Sequence, residues 1–289
     1  MSKQYIPLSA RRNLEATESY VSLFPGVPSH LVSSLKAWME AFFHVGSDWS
    51  NEQTKDRLRA IERAMHMTIK DGGSLGSTVQ HFLTELADDG SRFLDVIDFV
   101  LATEVASPDP ARILGNILEQ GGSVWRVGFD REANRPELQE RVDETMQAVV
   151  AVATSVAGNP SIHLSRAWSE AFGRAPNAAS AYDEAVKALE AAFQPIVSPK
   201  NPKATLGTIL KEIESKPEKF ATRLDGKAGA PDGVLAVRGS LNVIWQTAVR
   251  HGSSVPAAPT SVSIEQARDA VVSAASLVQL VRQGGFKLA

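Results

Sequence analysis

The sequence contains, at residues 178–197, the stretch AASAYDEAVKALEAAFQPIV, which decides the fold class of the second half of the chain. Its apolar residues recur with the period of an α-helix, and its charged residues Asp183, Glu184 and Lys187 are predicted to face solvent. Asn177 is predicted to cap the helix, because its side-chain oxygen can accept a hydrogen bond from a backbone N–H of the first turn. The predicted buried face comprises Ala181, Val186, Leu189, Ala192, Phe193 and Ile196.

The same helical period recurs along most of the chain. It predicts helices that begin near Ser29, Ser50, Ser77, Ser91, Asp109, Pro136 and Thr205, one that ends at His251, and a last one capped by Ser263. Leu164, Trp168 and Phe172 are predicted to share one face of a further helix. Residues 123–129 instead alternate apolar and polar side chains, which predicts one short hairpin arm. We therefore predict a mainly α fold with a helical N-terminal region and a helical-bundle C-terminal domain.

A domain boundary is predicted at Gly158-Asn159-Pro160, where one helical pattern stops on glycine and proline and another begins. This boundary divides the chain into a helical domain over residues 1–158, to which the sequence assigns no role, and a second helical domain over residues 159–289.

Composition excludes several classes of protein. The chain has 289 residues, 43% of them hydrophobic, which is enough to fill a core. Its 30 Lys and Arg against 33 Asp and Glu give a net charge of -3, so any contact with RNA must be local. It has no cysteine, which excludes disulfides, thiolate zinc sites and cysteine nucleophiles. The sequence also lacks a signal peptide or membrane span, so a cytoplasmic protein without membrane contact is expected.

A glycine-rich stretch, Gly72-Gly73-Ser74-Leu75-Gly76, matches the G-x-S-x-G spacing of a nucleophile elbow. That motif requires a preceding strand, whereas the segment before it has a helical period. The favoured interpretation is a helix that ends on glycine, followed by a new helix capped by Ser77.

Another stretch, Trp245-Gln246-Thr247-Ala248-Val249-Arg250-His251-Gly252, is predicted to end an apolar helix in an arginine, a histidine and a glycine. A base-capable side chain and a permanent cation therefore coincide at a helix terminus. The same pattern is also an ordinary way to place cations against the negative end of the helix macrodipole and to stop on a left-handed glycine. The residues alone leave both interpretations open.

Four segments of the second half resemble, in order, the C-terminal domain of bacterial and phage abortive-infection proteins, a branch of the helical HEPN superfamily. The segments are Ala181–Glu190, Asn201–Gly207, Trp245-Gln246 with Arg250–Gly252, and Ala267–Val281. The resemblance covers roughly Ser161 to Phe286 and implies a HEPN-like helical bundle.

The resemblance also implies a function. Many HEPN domains are metal-independent ribonucleases that act as homodimers, with an arginine and a histidine near the end of one helix. Carried over to this chain, His251 would be the general acid or base and Arg250 the phosphate clamp. Lys200, Lys203 and Gln246 are then expected to contact the substrate. The implied protein is a defence- or toxin-related RNA endonuclease that needs no cofactor and no metal.

The spacing departs from the family pattern. Active members separate the arginine from the histidine by four to six residues, whereas Arg250 adjoins His251, about 100° away round an ideal helix. The residue seven positions before His251 is Ile244, so the pair converges only if the helix unwinds at Gly252. A second hypothesis therefore stands beside the first: a non-catalytic helical module that dimerises or binds a phage or host protein.

Other site signatures are weak or missing from the sequence. There is no Walker or dinucleotide-binding glycine motif. The remaining histidines have no metal-binding spacing and are assigned to cores or surfaces: His30, His44, His66, His81 and His163.

Overall fold

The computed structural model describes residues 7–9, 23–43, 52–104, 108–130, 133–223, 232–247 and 262–289. Within them the fold is mainly α, as predicted, with eleven α-helices and two two-stranded sheets. The chain divides into two compact units. The first comprises Met1–Phe129 with Asn134–Arg141, and the second comprises Asp130–Ala133 with Val142–Ala289.

The first unit is a helical array followed by a hairpin. Its elements are α1 (Ser29–Phe43), α2 (Glu52–Met65), α3 (Leu75–Asp88), α4 (Gly90–Glu104), α5 (Pro108–Gln120), β1 (Trp125–Asp130) and β2 (Arg135–Glu140). Helix α1 packs against α3 and α5, and α4 packs against α2, α3 and β2.

The core of the first unit is apolar and aromatic. The period of helix α1 predicts a buried stripe of Leu31, Leu35, Trp38, Met39, Phe42 and Phe43, and all of these except the partly buried Phe42 are buried. Phe43 meets Phe82 of α3 edge to face, with ring centroids 6.3 Å apart. The helical period of residues 29–43 therefore identified a true core face.

The glycine-rich stretch before α3 is a loop and a helix cap. No strand precedes Ser74 among residues 52–73, so the context of a nucleophile elbow is missing there. The predicted cap, Ser77, is wrong by one turn, because Ser74 is the N-cap and its side chain accepts a hydrogen bond from the Ser77 backbone N–H. The helix begins earlier than predicted because Gly72 and Gly73 belong to the loop.

The hairpin predicted near residues 123–129 is present, but its second strand was predicted as a helix. Pro136 lies in β2, and the next helix begins only at Glu144, capped by Asp143. Strand β2 is held against α4, because the Leu138 backbone N–H donates to Asp98 Oδ1 at 2.6 Å and the Leu138 side chain is buried. A contact with a helix 40 residues away in sequence thus overrode the local helical pattern.

The second unit is a helical bundle with one small sheet. Its elements are α6 (Glu144–Thr154), α7 (Asn159–Phe172), α8 (Ala178–Val197), α9 (Leu206–Ser215), a 3-10 turn (Pro217–Lys219), β3 (Phe220–Thr222), α10 (Asp232–Thr247), α11 (Ile264–Arg282) and β4 (Phe286–Leu288). Strands β3 and β4 are antiparallel, with Phe220 opposite Leu288. Phe286 of β4 is fully buried between Phe193 and Phe220.

Helix α8 lies at the centre of this unit, against α7, α11 and α9. Its predicted cap is confirmed, since the Asn177 side chain accepts from the Ser180 N–H. So is the capping of α11 by Ser263, which forms a reciprocal capping box with Gln266. Glu184 was predicted to face solvent, but it is buried, for a reason given below.

Helix α6 belongs to the second unit because it packs against α11 and α7. The division between the units therefore falls at Arg141 and Val142, one helix before the domain boundary predicted from the glycine and proline at 158–160.

The assignment of the α3 cap yields a prediction. Ser74→Ala should lower the free energy of unfolding by about 1 kcal/mol, because a first-turn N–H of α3 loses its acceptor. Ser77→Ala is the control: it removes an exposed hydrogen bond from the Ser74 hydroxyl but keeps the backbone N–H that the Ser74 side chain accepts from, and should change the free energy of unfolding by less than about 0.5 kcal/mol. Urea unfolding followed by circular dichroism measures both. Equal effects of the two substitutions would contradict the assignment.

Candidate functional site

The structure brings only part of the predicted site into view. Arg250 and His251 lie outside the described residues, as does Gly252, and α10 is described as far as Thr247. Lys200 and Lys203 are exposed in the loop between α8 and α9, and Gln246 is exposed near the end of α10.

A groove of about 400 Å³ lies between α9 and α10, and Gln246 is one of its walls. Lys200 and Lys203 are not. The groove is lined by Thr205, Gly207, Thr208, Leu210, Lys211, Glu214, Arg238, Asn242, Trp245 and Gln246. Most of these side chains carry hydrogen-bonding groups, so the groove suits a polar ligand.

The α9 wall is positioned by its amphipathic sequence. Leu206, Ile209, Leu210 and Ile213 are buried in the core, which turns Thr208 and Lys211 towards the groove. The helix starts at a fixed point, because the Leu206 N–H donates to Glu190 Oε1 of α8 at 2.7 Å. Thr205 is its N-cap and accepts from the Thr208 N–H.

The α10 wall is anchored near its C-terminal end. Val237, Leu241 and Ile244 are buried, and the buried Tyr182 hydroxyl of α8 donates to the Ile244 carbonyl at 2.6 Å. The bond from Tyr182 fixes the position of Ile244, which directly precedes Trp245 and Gln246 in the sequence.

The two walls meet closely at Gly207. A Cβ atom at this position would lie 2.7 Å from Cζ2 of the Trp245 indole, too close for any normal contact. Glycine is therefore required for the indole to lie against the first turn of α9. Trp245 is partly buried, so the ring is a wall of the groove as well as a packing contact.

The charges of the groove are mixed. Arg238 Nη2 and Glu214 Oε1 form an ion pair at 2.8 Å, and 27% of the Arg238 side chain is exposed. Arg238 Nε is buried without a hydrogen-bond partner. Lys211 adds a second cation, so the lining residues that the structure describes supply two cations and one carboxylate.

A second polar cluster lies between α7 and α8. His163 Nδ1 donates to Glu184 Oε2 at 2.7 Å, and Lys187 Nζ donates to Glu184 Oε1 at 2.8 Å. Lys187 also pairs with Asp183 at 2.6 Å. Glu184 is buried because it has these two partners. The i,i+3 spacing of Glu184 and Lys187 is visible in the sequence, but the contact with His163 is not.

Two carboxyl groups of α8 have shifted pKa values in opposite directions. Burial would raise the pKa of Glu184, but the hydrogen bonds and charges of Lys187 and His163 outweigh it, and the pKa is lowered. Burial raises the pKa of Glu190, and the hydrogen bond from Leu206 opposes that shift only in part.

The described part of the groove can bind but contains no histidine that could act as a base. Arg238 and Lys211 can meet anionic groups, Asn242 and Gln246 can donate and accept hydrogen bonds, and the indole offers an apolar surface. Among the described residues, no three or more His, Asp or Glu side chains are arranged to hold a metal ion. No helix in those ranges is long and apolar enough to cross a bilayer.

No family model matches the chain, and neither a curated protein nor a solved structure matches it. The resemblance to the abortive-infection C-terminal domain therefore stays a prediction from the residues quoted above.

Two glycine substitutions test the packing of the groove. Gly207→Ala should lower the free energy of unfolding by about 1–3 kcal/mol, because the added methyl group would collide with the Trp245 indole. Gly239→Ala, within α10, should raise it by up to about 1 kcal/mol, since a Cβ there meets nothing within 4 Å and alanine favours the helix. Urea unfolding measures both. Stabilisation by both substitutions would show that the indole does not lie against Gly207.

The opposite pKa shifts of Glu184 and Glu190 predict opposite effects of pH. The folded-state pKa of Glu184 lies below the unfolded value of 4.5, so its ionisation stabilises the fold above that pH, and this contribution is lost as the pH falls through the folded-state pKa. The folded-state pKa of Glu190 lies above 4.5, so its ionisation destabilises the fold, and this cost disappears as the pH falls towards 4.5.

Urea unfolding of Glu184→Gln and Glu190→Gln from about pH 3 to about pH 7 measures these contributions. Glu184→Gln should be less stable than the wild type at neutral pH, with a gap that narrows below pH 4.5. Glu190→Gln should remove a decline in stability that the wild type shows as the pH rises above 4.5. If the stabilities of the two variants changed with pH in parallel, the opposite pKa shifts of Glu184 and Glu190 would be contradicted.

Proposed function

We propose that the protein is a HEPN-like, metal-independent RNA endonuclease that acts as a homodimer and serves a defence or toxin role. The groove between α9 and α10 binds the RNA, and Arg250 and His251 carry the chemistry. The observation that carries the proposal is the polar groove, which is lined by Lys211, Arg238, Trp245 and Gln246. Trp245 and Gln246 belong to the stretch that leads directly to Arg250 and His251.

The groove offers the groups that bind single-stranded RNA. An indole presents a surface on which a base can stack, cations can meet phosphates, and amide side chains can pair with base edges. Trp245, Arg238 and Asn242 supply one of each kind. Because the net charge of the chain is -3, this local arrangement is the feature that favours RNA.

The proposed chemistry is a transfer within the RNA backbone. Neutral His251 takes the proton from a ribose 2′-hydroxyl, whose oxygen attacks the adjacent phosphate, and a protonated imidazole returns a proton to the leaving 5′-oxygen. The Arg250 guanidinium stabilises the charge that builds on the phosphate. In the proposed homodimer a partner subunit supplies the second group. Such a shared site accommodates the adjacent positions of Arg250 and His251 in this sequence.

A second candidate function is favoured by a specific observation. Ile244, seven positions before His251, is buried, and its apolar side chain cannot act in catalysis. A chain with this departure from the family pattern suits a non-catalytic module that dimerises or binds a phage or host protein. Its groove would then recognise a protein surface.

Cleavage of single-stranded RNA in EDTA tests the enzyme. The wild type should cleave, and His251→Ala should be slower by about 10²-fold or more, because general acid–base catalysis is lost. His81→Ala removes an exposed histidine of α3 and is the matched control, with no expected change. A substrate with 2′-deoxyribose at the cleaved position should resist the wild type.

Equal cleavage by the wild type and His251→Ala would overturn the proposed catalysis. Salt then separates the remaining possibilities. RNA binding that weakens steeply with salt argues for contacts with phosphates, whereas RNA binding that is negligible at low salt supports the protein-binding module.

A further inference from the structure

The hairpin of the first unit carries a polar face that the proposed function does not use. Side chains alternate along a strand, and Trp125 and Leu138 of β1 and β2 point into the apolar core. Arg126 and Gln139, the neighbours of those two residues, therefore lie on the other face. Arg141 follows β2 and stays paired with the hairpin, because its N–H donates to the Val124 carbonyl at 2.7 Å.

Arg126 is held by a single neutral acceptor. Its Nη2 donates to Gln139 Oε1 at 2.9 Å, and Gln139 in turn donates to Glu137 Oε1 at 2.7 Å. Gln139 is only 3% exposed, and a Cβ at Gly128 would lie 2.2 Å from its Cδ, so the glycine makes room for this amide. Arg126 Nε is buried and has no hydrogen-bond partner.

The terminal N–H donors of Arg141 are available to a ligand. Its Nε donates weakly to the Trp125 carbonyl at 3.4 Å, and its two Nη groups make no hydrogen bond to a described residue. Neither Arg126 nor Arg141 forms an ion pair with a carboxylate within the described ranges; Glu119 acts on Arg141 only through its field. Both side chains remain partly exposed and can be reached from solvent.

Arg126 and Arg141 thus lie on the same face of the hairpin, since Arg141 pairs with Val124 and Arg126 contacts Gln139. Within the described ranges neither guanidinium forms an ion pair, although Glu119 acts on Arg141 through its field and Glu137 accepts from Gln139. Burial lowers the pKa of Arg126, and the charge of Arg141 lowers it further. Burial also lowers the pKa of Arg141. Partly buried cations are ordinarily paired, since desolvation is costly without an opposite charge. This arrangement is unfavourable for the protein by itself and becomes favourable when an anion binds.

We propose that Arg126 and Arg141 form a binding site for a dianionic phosphate group, such as the terminal phosphate of a nucleotide or of an RNA end. A phosphate monoester carries a charge of about -1.5 to -2 near neutral pH, which matches two arginines better than a single carboxylate or a phosphodiester does. The guanidinium is planar and can present two parallel N–H donors to two phosphate oxygens. Gln139 orients Arg126 as a positioning residue.

This site is independent of the groove between α9 and α10, because all of its residues belong to the first unit. It gives that unit a ligand class, which the sequence alone did not. The inference does not require the protein to cleave RNA.

Isothermal titration at constant ionic strength and about pH 8 tests the site. The probes are inorganic phosphate, a 5′-mononucleotide, and two short 2′-O-methyl RNAs, which cannot be cleaved through a 2′-hydroxyl and which differ only in a 5′-phosphate or a 5′-hydroxyl. Inorganic phosphate and the mononucleotide should bind, and the 5′-phosphorylated RNA should show a binding event that the 5′-hydroxyl RNA lacks, since diester phosphates carry one charge each. Binding of RNA in the groove between α9 and α10 is common to both RNAs. A preference for the mononucleotide over the RNA end, or the reverse, identifies the source of the phosphate.

The variants are Arg141→Gln and Arg126→Gln, with Arg141→Lys as a conservative change. Each glutamine variant should weaken phosphate binding at least about tenfold, whereas lysine keeps a charge but loses the parallel donors and should weaken it less. Arg112→Gln removes an exposed arginine of the same unit that is paired with Asp109, and should bind phosphate like the wild type. Circular dichroism checks folding; Arg141→Gln is the decisive variant if Arg126→Gln does not fold.

Two results would overturn the proposal. One is a wild type that does not bind inorganic phosphate, or a folded Arg141→Gln that binds it equally well. The other is a 5′-phosphate that adds no binding event to that of the 5′-hydroxyl RNA, which would mean that the arginines do not select a dianion.

Discussion

The burial of α8 is the constraint on which the candidate site depends. Its apolar face fills the space against α7, α9 and α11, and from this fixed position two of its polar side chains reach the walls of the groove. Tyr182 holds the carbonyl of Ile244 on α10, and Glu190 holds the N–H of Leu206 at the start of α9. The width of the groove is therefore set by a helix that does not line it, and a change in the packing of α8 would alter both walls together.

The parts of this fold that could be predicted are those encoded by local periodicity. The buried stripe of α1 and the core face of α8 follow from the 3.6-residue period, because a helix in a globular protein has to bury one apolar face. The caps Asn177 and Ser263 follow from the chemistry of a helix terminus, where unpaired N–H groups need a nearby acceptor. Each of these features depends on residues within a few positions in sequence.

The features that were missed depend on distant partners. Pro136 lies in a strand because β2 is held by Asp98, and Glu184 is buried because His163 lies opposite it on α7. The site is predictable to the same limited extent. Gln246 lines the groove whereas Lys200 and Lys203 do not, because the lysine loop ends before the first turn of α9 forms the wall. The catalytic role of Arg250 and His251 stays a prediction.

The arginines show why charge counted along a sequence does not locate a binding site. Arg238 forms an ion pair with Glu214 in the groove. An anionic ligand there must therefore compete with that carboxylate. Arg126 donates to a neutral amide, and neither it nor Arg141 forms an ion pair with a described residue of the first unit, where Glu119 acts on Arg141 only through its field. A net charge of -3 conceals this difference. An anion gains more where two partly desolvated cations lie together, because it attracts both of them and this attraction outweighs the repulsion that remains between them.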